Sequence, residues 1–468
     1  MLRWRTPDVV IFLAVMAIAI GVRLIDLGSP TRFVFDESYY VQDACVYLGY
    51  GPDTCVHEVE ISSMHPPLGK WLIALGIWLG GYHPAAWRAP AVIAGVIMVA
   101  AVFALARRLT GSPLAAGVAG GVIAVDPLSI ISARVGMLDI FVACASVLAV
   151  LFALLHRDWL VRRTPGTETR LRPWLLAAGI AAGVATASKW SGLLALGIVV
   201  AMTVAWELDA RGATGRRISA LSAMAPSIAA HLLIVPIVIY VASYIGRFQG
   251  ELLALPWQPD SIFRVFGGRQ LQMAAFHLGM DATHPYASPA WSWLVGKRAV
   301  VYFFEVDAAG RYREILAFAN LALWLPGLAA AAWATTAFFR RRDVWRPEFV
   351  VMLAVAGSYV PWLLSPGGRA FVFLYYVLPV IPFLALAIGW AVSRATPTVQ
   401  PWVAAGVMTV AIVIFGFWAP LIYAWPLSYD EWRMRIPFTD CTPAATSEDG
   451  QLRPPPEAGP APEGWCWV

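Results

Sequence analysis

Apolar runs of about twenty residues recur from one end of this chain to the other, and a soluble core cannot absorb so many of them. PAVIAGVIMVAAVFALA, residues 90–106, is one such run. As a helix, a run of this length crosses a bilayer with every backbone hydrogen bond closed inside the segment. The runs are continuously apolar and lack the period of two that a membrane barrel requires. Composition agrees, with 59% of the 468 residues hydrophobic and 13% charged. The expected fold is therefore an all-α polytopic integral membrane protein with about eleven transmembrane helices. They are expected near residues 8–27, 87–107, 113–131, 137–155, 173–188, 191–207, 225–245, 316–338, 348–364, 371–391 and 401–422.

The first run follows Arg3 and Arg5 as a secretion signal would, but it ends in Arg23, Asp26 and Leu27 with no small-residue cleavage pattern. It is read as a retained anchor. Arginines then set the orientation. Arg107 and Arg108, the group Arg157, Arg162, Arg163, Arg170 and Arg172, the group Arg211, Arg216 and Arg217, the group Arg340, Arg341, Arg342 and Arg346, and Arg394 fall in alternate connections, together with Arg3 and Arg5. Those connections are expected to be cytoplasmic. The net charge of +5 is thus accounted for by topology and gives no reason to invoke nucleic acid. An odd number of spans puts the carboxyl tail outside.

The organisation that results has a cytoplasmic N-terminus and first span (1–27), a first outer loop (28–86), a block of spans (87–245), a second large outer loop (246–315), a last block of spans (316–422) and an outer tail (423–468). Both loops contain interfacial helix patterns. HPPLGKWLIALGIWLGG places Leu68, Trp71, Leu72 and Leu75 at helical spacing behind two prolines, yet is too short to span. FGGRQLQMAAFHLGM is its counterpart in the second loop, followed by HPYASPAWSWL, whose Trp291 and Trp293 suit the headgroup level. Cys45 and Cys55 share the first loop and Cys441 and Cys466 bracket the tail. Four external cysteines allow three pairings; neighbours in sequence are the expected pairs, with free thiols the alternative. Between the tail cysteines the chain is polar and proline-rich, hence extended.

Four cations oppose the positive-inside tendency: Arg88 at the outer end of the second span, Arg134, Lys189 and Arg369. One alone would be read as snorkelling to lipid phosphate. Four on one face, accompanied by Asp36, Glu37 and Asp139, point to a shared site for an anionic group. Such a site suits a sugar carried on a lipid phosphate. Cations stabilise the departing phosphate, while a carboxylate takes the proton of an incoming hydroxyl and favours an oxocarbenium-like transition state.

FVFDESYYVQDA, HPPLGKWLIALG, SARVGMLDIF, ASKWSGL and HPYASPAWSWL together resemble the protein O-mannosyltransferase family of the membrane-embedded GT-C glycosyltransferases, over the chain from first span to last. The resemblance implies inverting transfer of mannose from a polyprenyl-phosphate-linked donor to Ser or Thr hydroxyls of proteins on the outer face, during or after translocation. By the same similarity Asp36 and Glu37 match the family's acidic pair, with Asp36 the base, and Arg88 matches its essential arginine. Eukaryotic relatives carry a β-trefoil (MIR) domain in the second loop, for which about 70 residues leave no room, so the chain looks like the shorter bacterial form. The expected location is the plasma membrane.

Adjacent helical side chains diverge by about 100°, so Asp36 and Glu37 cannot both face one proton. Asp36 could equally cap a helix running from Glu37 to Leu48 and ending at Gly49. His65 is a candidate contact to donor or acceptor, or a loop residue satisfied by backbone. Lys70 is a candidate for phosphate, or a snorkelling residue. Asp139 is a second acidic candidate, or the partner of Arg134 at a helix start. His284, Tyr286 and Ser288 are candidates for the acceptor groove, and Trp291 is read as an interface anchor. No His/Cys/Asp cluster has metal spacing and no phosphate-loop or dinucleotide glycine pattern appears, so no cofactor is expected and the need for a divalent ion stays open. Transfer of another lipid-linked sugar, of the arabinose type, to lipid or glycan is the nearest alternative. A transporter is a more distant one, since neither repeated halves nor midplane charges are evident.

Overall fold

The computed structural model describes residues 4–51, 53–57, 60–162, 172–212, 224–245, 266–279, 286–364 and 372–436. Arg369, His284, Cys441 and Cys466 lie outside them.

The chain folds as a helical bundle whose elements follow the apolar runs. Helix α1 is Thr6–Leu24; α2, Glu37–Tyr47, and α3, Leu68–Gly80, belong to the first large loop. Pro84–Thr110 (α4), Pro113–Val125 (α5), Pro127–Ser132 (α6), Asp139–Val161 (α7), Pro173–Ser188 (α8), Leu193–Gly212 (α9) and Met224–Ala242 (α10) make the central block. The second loop contributes α11 (Gly267–Gly279), the short α12 (Ala290–Trp293) and the strands β1 (Val300–Val306) and β2 (Tyr312–Ala317). Leu321–Arg341 (α13), Pro347–Leu364 (α14), Ile381–Val392 (α15), Gln400–Tyr423 (α16) and Tyr429–Arg433 (α17) follow.

Among the described residues, eight helices are long and apolar enough to cross a membrane. The other three expected spans contain shorter helices: α5 has 13 residues, α8 has 16 and α15 has 12. The run 113–131 breaks at Asp126 and Pro127. Proline cannot continue the α5 ladder, and Asp126 instead caps α6 by accepting from the Ser129 N–H at 3.0 Å. Its other oxygen accepts from Trp324 Nε1 at 3.1 Å and Asn320 Nδ2 at 3.4 Å, so the broken backbone is enclosed by protein. Within the run 371–391, residues 372–380 are irregular and 3-10 backbone before Ile381. Helices α5 and α15 lie at the centre of the bundle with almost every side chain buried. Gly389 permits their approach, since a Cβ there would meet the Ala115 carbonyl at 2.7 Å.

The second loop departs from the expected pattern. Residues 312–317, expected to straddle the end of the second loop and the start of the span at 316, are the second strand of an antiparallel hairpin, and the span begins at Leu321. The hairpin was hidden because most of its residues are buried on both faces, so it lacks the alternation that marks a strand with one face in water. After α16 the chain folds back onto it, with Leu427 bridging Tyr312. The arginines of the expected cytoplasmic connections meet at the end of the bundle opposite to the hairpin: Arg107 pairs with Asp8, Arg108 and Arg157 with Asp158, Arg172 with Glu207, and Arg394 with Glu348.

At the loop-rich end, α3 exposes Leu75, Trp78 and Leu79, and α11 exposes Leu271 and Leu278, as interfacial helices would. Trp291 is exposed as well, whereas Trp293 is buried. A disulfide joins Cys45 to Cys55, and Cys144 is free and buried.

Candidate active site

Helix α2 begins where the first loop turns back over the bundle, and its first two carboxylates have separate surroundings. Glu37 is fully buried and accepts four hydrogen bonds, from Arg88 Nε at 2.8 Å and the Gly136 N–H at 2.8 Å on one oxygen, and from Arg88 Nη2 at 2.9 Å and the Val34 N–H at 2.9 Å on the other. Its acceptor capacity is filled. Arg88 is equally committed. Besides Glu37 it donates to the carbonyls of Leu27, Pro30 and Arg32, which uses all five of its N–H groups. The expected pairing of Arg88 with a phosphate therefore has no donor to make it.

Asp36 sits at the cap position of α2 but makes no capping bond. It is half-buried and, among the described residues, forms no ion pair. The Tyr40 hydroxyl, one turn along, lies close enough to its carboxylate to favour the ionised form. Burial pushes the Asp36 carboxyl up to about 6, and the charge of Asp139 adds to the rise against the pull of Lys189 and Tyr40. An ionised carboxylate with a pKa near neutrality and an unfilled acceptor set has the properties of a general base. Phe35 before it holds φ at 51°, a left-handed conformation that costs a non-glycine residue of order 1 kcal/mol or more.

Asp139 and Lys189 supply the charge nearest to Asp36. Asp139 opens α7, where the helix dipole favours a carboxylate, and Lys189 lies at the break between α8 and α9. Lys189 Nζ donates to both Asp139 oxygens, at 2.9 and 3.1 Å, and stands 4.1 Å from the centre of the Tyr376 ring. Asp139 thus pairs with Lys189 and not with Arg134, the partner its sequence neighbourhood offered. Arg134 instead binds the carbonyls of Arg23, Ile25 and Asp26 at the end of α1 and lies over the Tyr423 ring, 4.6 Å away. That end of α1 has carbonyls without helical partners, which a guanidinium satisfies.

Lys70, expected at phosphate, is enclosed. Its ammonium meets Asp43 at 2.9 Å, Glu60 at 2.8 Å and the Ser62 carbonyl, so its three protons are taken. Arg269 of α11 reaches Glu60 at 2.9 Å, and this network fastens the second loop to the first. His65 stacks with His277 at 5.5 Å and approaches Tyr40 at 6.1 Å, one ring removed from Asp36. Tyr286 and Ser288 are buried, with the Ser288 N–H bonded to the Val372 carbonyl at 2.9 Å, so they brace the Val372–Tyr376 segment.

The structure therefore brings Asp36, Asp139 and Lys189 together and assigns Glu37, Arg88, Arg134 and Lys70 to internal bonds. Four residues passed over in the sequence join the site: Tyr40, Tyr302, Tyr375 and Tyr376. In an aromatic-rich membrane chain they look like core. The available signals were the YY pair just after Arg369 and the VVYFFEV run ahead of a DAAG turn.

A helical bundle with an open carboxylate and a lysine–carboxylate pair under structured loops fits a membrane-embedded glycosyltransferase. The fold is shared with the Saccharomyces cerevisiae Pmt1-Pmt2 protein O-mannosyltransferase complex bound to its sugar donor (TM-score 0.76, 14% identity, 92% of each chain covered). It is shared less closely with ArnT of Cupriavidus metallidurans bound to undecaprenyl phosphate (TM-score 0.54, 20% identity, 87% of this chain and 63% of that one). The dolichyl-phosphate-mannose-protein mannosyltransferase family model matches residues 85–249, and the model for the C-terminal four-span region of protein O-mannosyltransferases matches 262–439. Polyprenol-phosphate-mannose–protein mannosyltransferases of Corynebacterium glutamicum (28% identity, 90% of this chain and 91% of the relative) and Mycolicibacterium smegmatis (29%, 90% of each) are similar over nearly the whole length. The chain belongs to the protein O-mannosyltransferase family.

Proposed function

We propose that this protein transfers mannose from a polyprenyl-phosphate-mannose donor to Ser or Thr hydroxyls of proteins at the outer face of the plasma membrane. Asp36 removes the hydroxyl proton as the bond from sugar to phosphate breaks. Lys189 offers positive charge to the leaving phosphate, and Asp139 holds Lys189 in place. One carboxylate is open and the other is held by two bonds from Lys189, which favours a single displacement with inversion over a covalent sugar intermediate. The observation that carries this reading is the state of Asp36, with no cation of the described residues bound to it and a pKa raised to about 6, beside that pair.

The pH dependence follows from the sign of the shift. The base acts ionised, so kcat/KM should be level above pH 7, half its plateau near pH 6, and about a tenth at pH 5. A profile flat from pH 5 to 8 would remove Asp36 from the role.

Reconstitution into liposomes with polyprenyl-phosphate-mannose and a Ser/Thr peptide, followed by mass analysis, tests the reaction itself. The expected product is peptide heavier by one hexose, lost when Ser and Thr are replaced by Ala; the same assay with and without chelator decides whether a divalent ion takes part. Transfer only from an arabinose-type donor, or only to lipid, would replace this reading with the related one.

A further inference from the structure

Tyr302 is the residue that the hairpin's register leaves over. Val301 pairs with Leu316 and Phe303 with Ile315, so Tyr302 is the extra residue of a β-bulge. A bulge takes one residue out of the ladder and re-aims its side chain. Here the ring stacks on Phe35, with centroids 4.7 Å apart and planes 5° from parallel, and meets Tyr375 edge-on at 5.8 Å. Phe35 is the strained residue immediately before Asp36. The Tyr302 hydroxyl is buried, hydrogen-bonds no atom of the described protein, and lies in the field of both Asp139 and Asp36. Leaving a buried hydroxyl unpaired forfeits its hydration without replacement, so its persistence at a bulge beside Asp36 calls for a ligand oxygen.

Burial and the two nearby carboxylates keep the phenol protonated, which makes it a donor. The acceptor hydroxyl of a protein has only to reach Asp36, which is half-buried, whereas Tyr302 lies deeper, among the residues that surround Lys189. We propose that the Tyr302 hydroxyl is a donor-substrate contact, giving a hydrogen bond to an oxygen of the lipid-linked sugar phosphate, either a sugar hydroxyl or a phosphate oxygen. This contact rests on the proposed function and adds a residue to it.

Tyr302→Phe keeps the stack and deletes only the hydroxyl. In liposomes containing the full chain, kcat/KM for the donor should fall about tenfold or more while KM for the peptide stays unchanged. The donor should also raise the unfolding temperature of the variant less than that of the wild type, a readout independent of turnover. Inhibition by polyprenyl phosphate without sugar separates the two oxygens. Inhibition weakened by the same factor assigns the phosphate, and unchanged inhibition assigns the sugar; both support the contact. Wild-type values throughout, or an effect confined to the peptide KM, would overturn it. Wild-type transfer measured in the same vesicles tests the proposed function separately, and if that failed, the difference in donor-induced stabilisation would still decide the contact.

Discussion

Replacing Arg88 by alanine should cost the protein both stability and turnover, and raising the donor concentration should restore neither. The guanidinium closes the first loop onto α4 by holding Glu37, fully buried, and three backbone carbonyls. Its removal strands a buried carboxylate and three acceptors. Breaking such a pair from one side costs about 3–5 kcal/mol. Asp36 is the residue before Glu37, so slack in this clamp displaces the base directly. Glu37→Gln should reproduce much of the loss, and the Glu37→Gln/Arg88→Ala double variant should be little worse than Arg88→Ala alone, because both act on one unit. Thermal unfolding and donor titration check this together. An Arg88→Ala protein that unfolds normally and recovers its rate at high donor would mark the arginine as a donor ligand instead.

What the sequence disclosed about this site, and what it hid, follows from the range of the forces involved. The α2 helix was legible because its signals are local: an acidic residue at its start, and Gly49 after its end with φ of 71°. The placement of charged residues on one face was legible from the length of the spans. Their partners were not. Arg88 and Glu37 are 51 residues apart, and Lys189 and Asp139 are 50 apart, distances over which sequence carries no pairing rule. Arg134 chose carbonyls left open by the end of α1, acceptors with no signature in any side chain. A lone cation on the wrong side of a membrane thus announces a buried acceptor without saying whether it belongs to protein or to substrate. The aromatic wall was hidden for a different reason, since a tyrosine lining a pocket and a tyrosine in a membrane core satisfy the same pattern.

Asp36→Asn should fold, bind donor and transfer almost nothing. The amide preserves the shape of the cap position, but it cannot take a proton from a hydroxyl at any accessible pH. General-base removal lowers rates by about 10²–10⁴-fold. Glu37 offers no substitute, because its four bonds leave it no free lone pair. Asp139 is tied to Lys189. The most direct measurement is a single turnover: labelled donor is bound to wild type and to Asp36→Asn in liposomes, a Ser/Thr peptide is added, and mannose on the peptide is counted over time. The account predicts prompt transfer by the wild type and bound, unreacted donor in the variant across pH 5 to 8. Transfer by Asp36→Asn within a few-fold of the wild-type rate would contradict it.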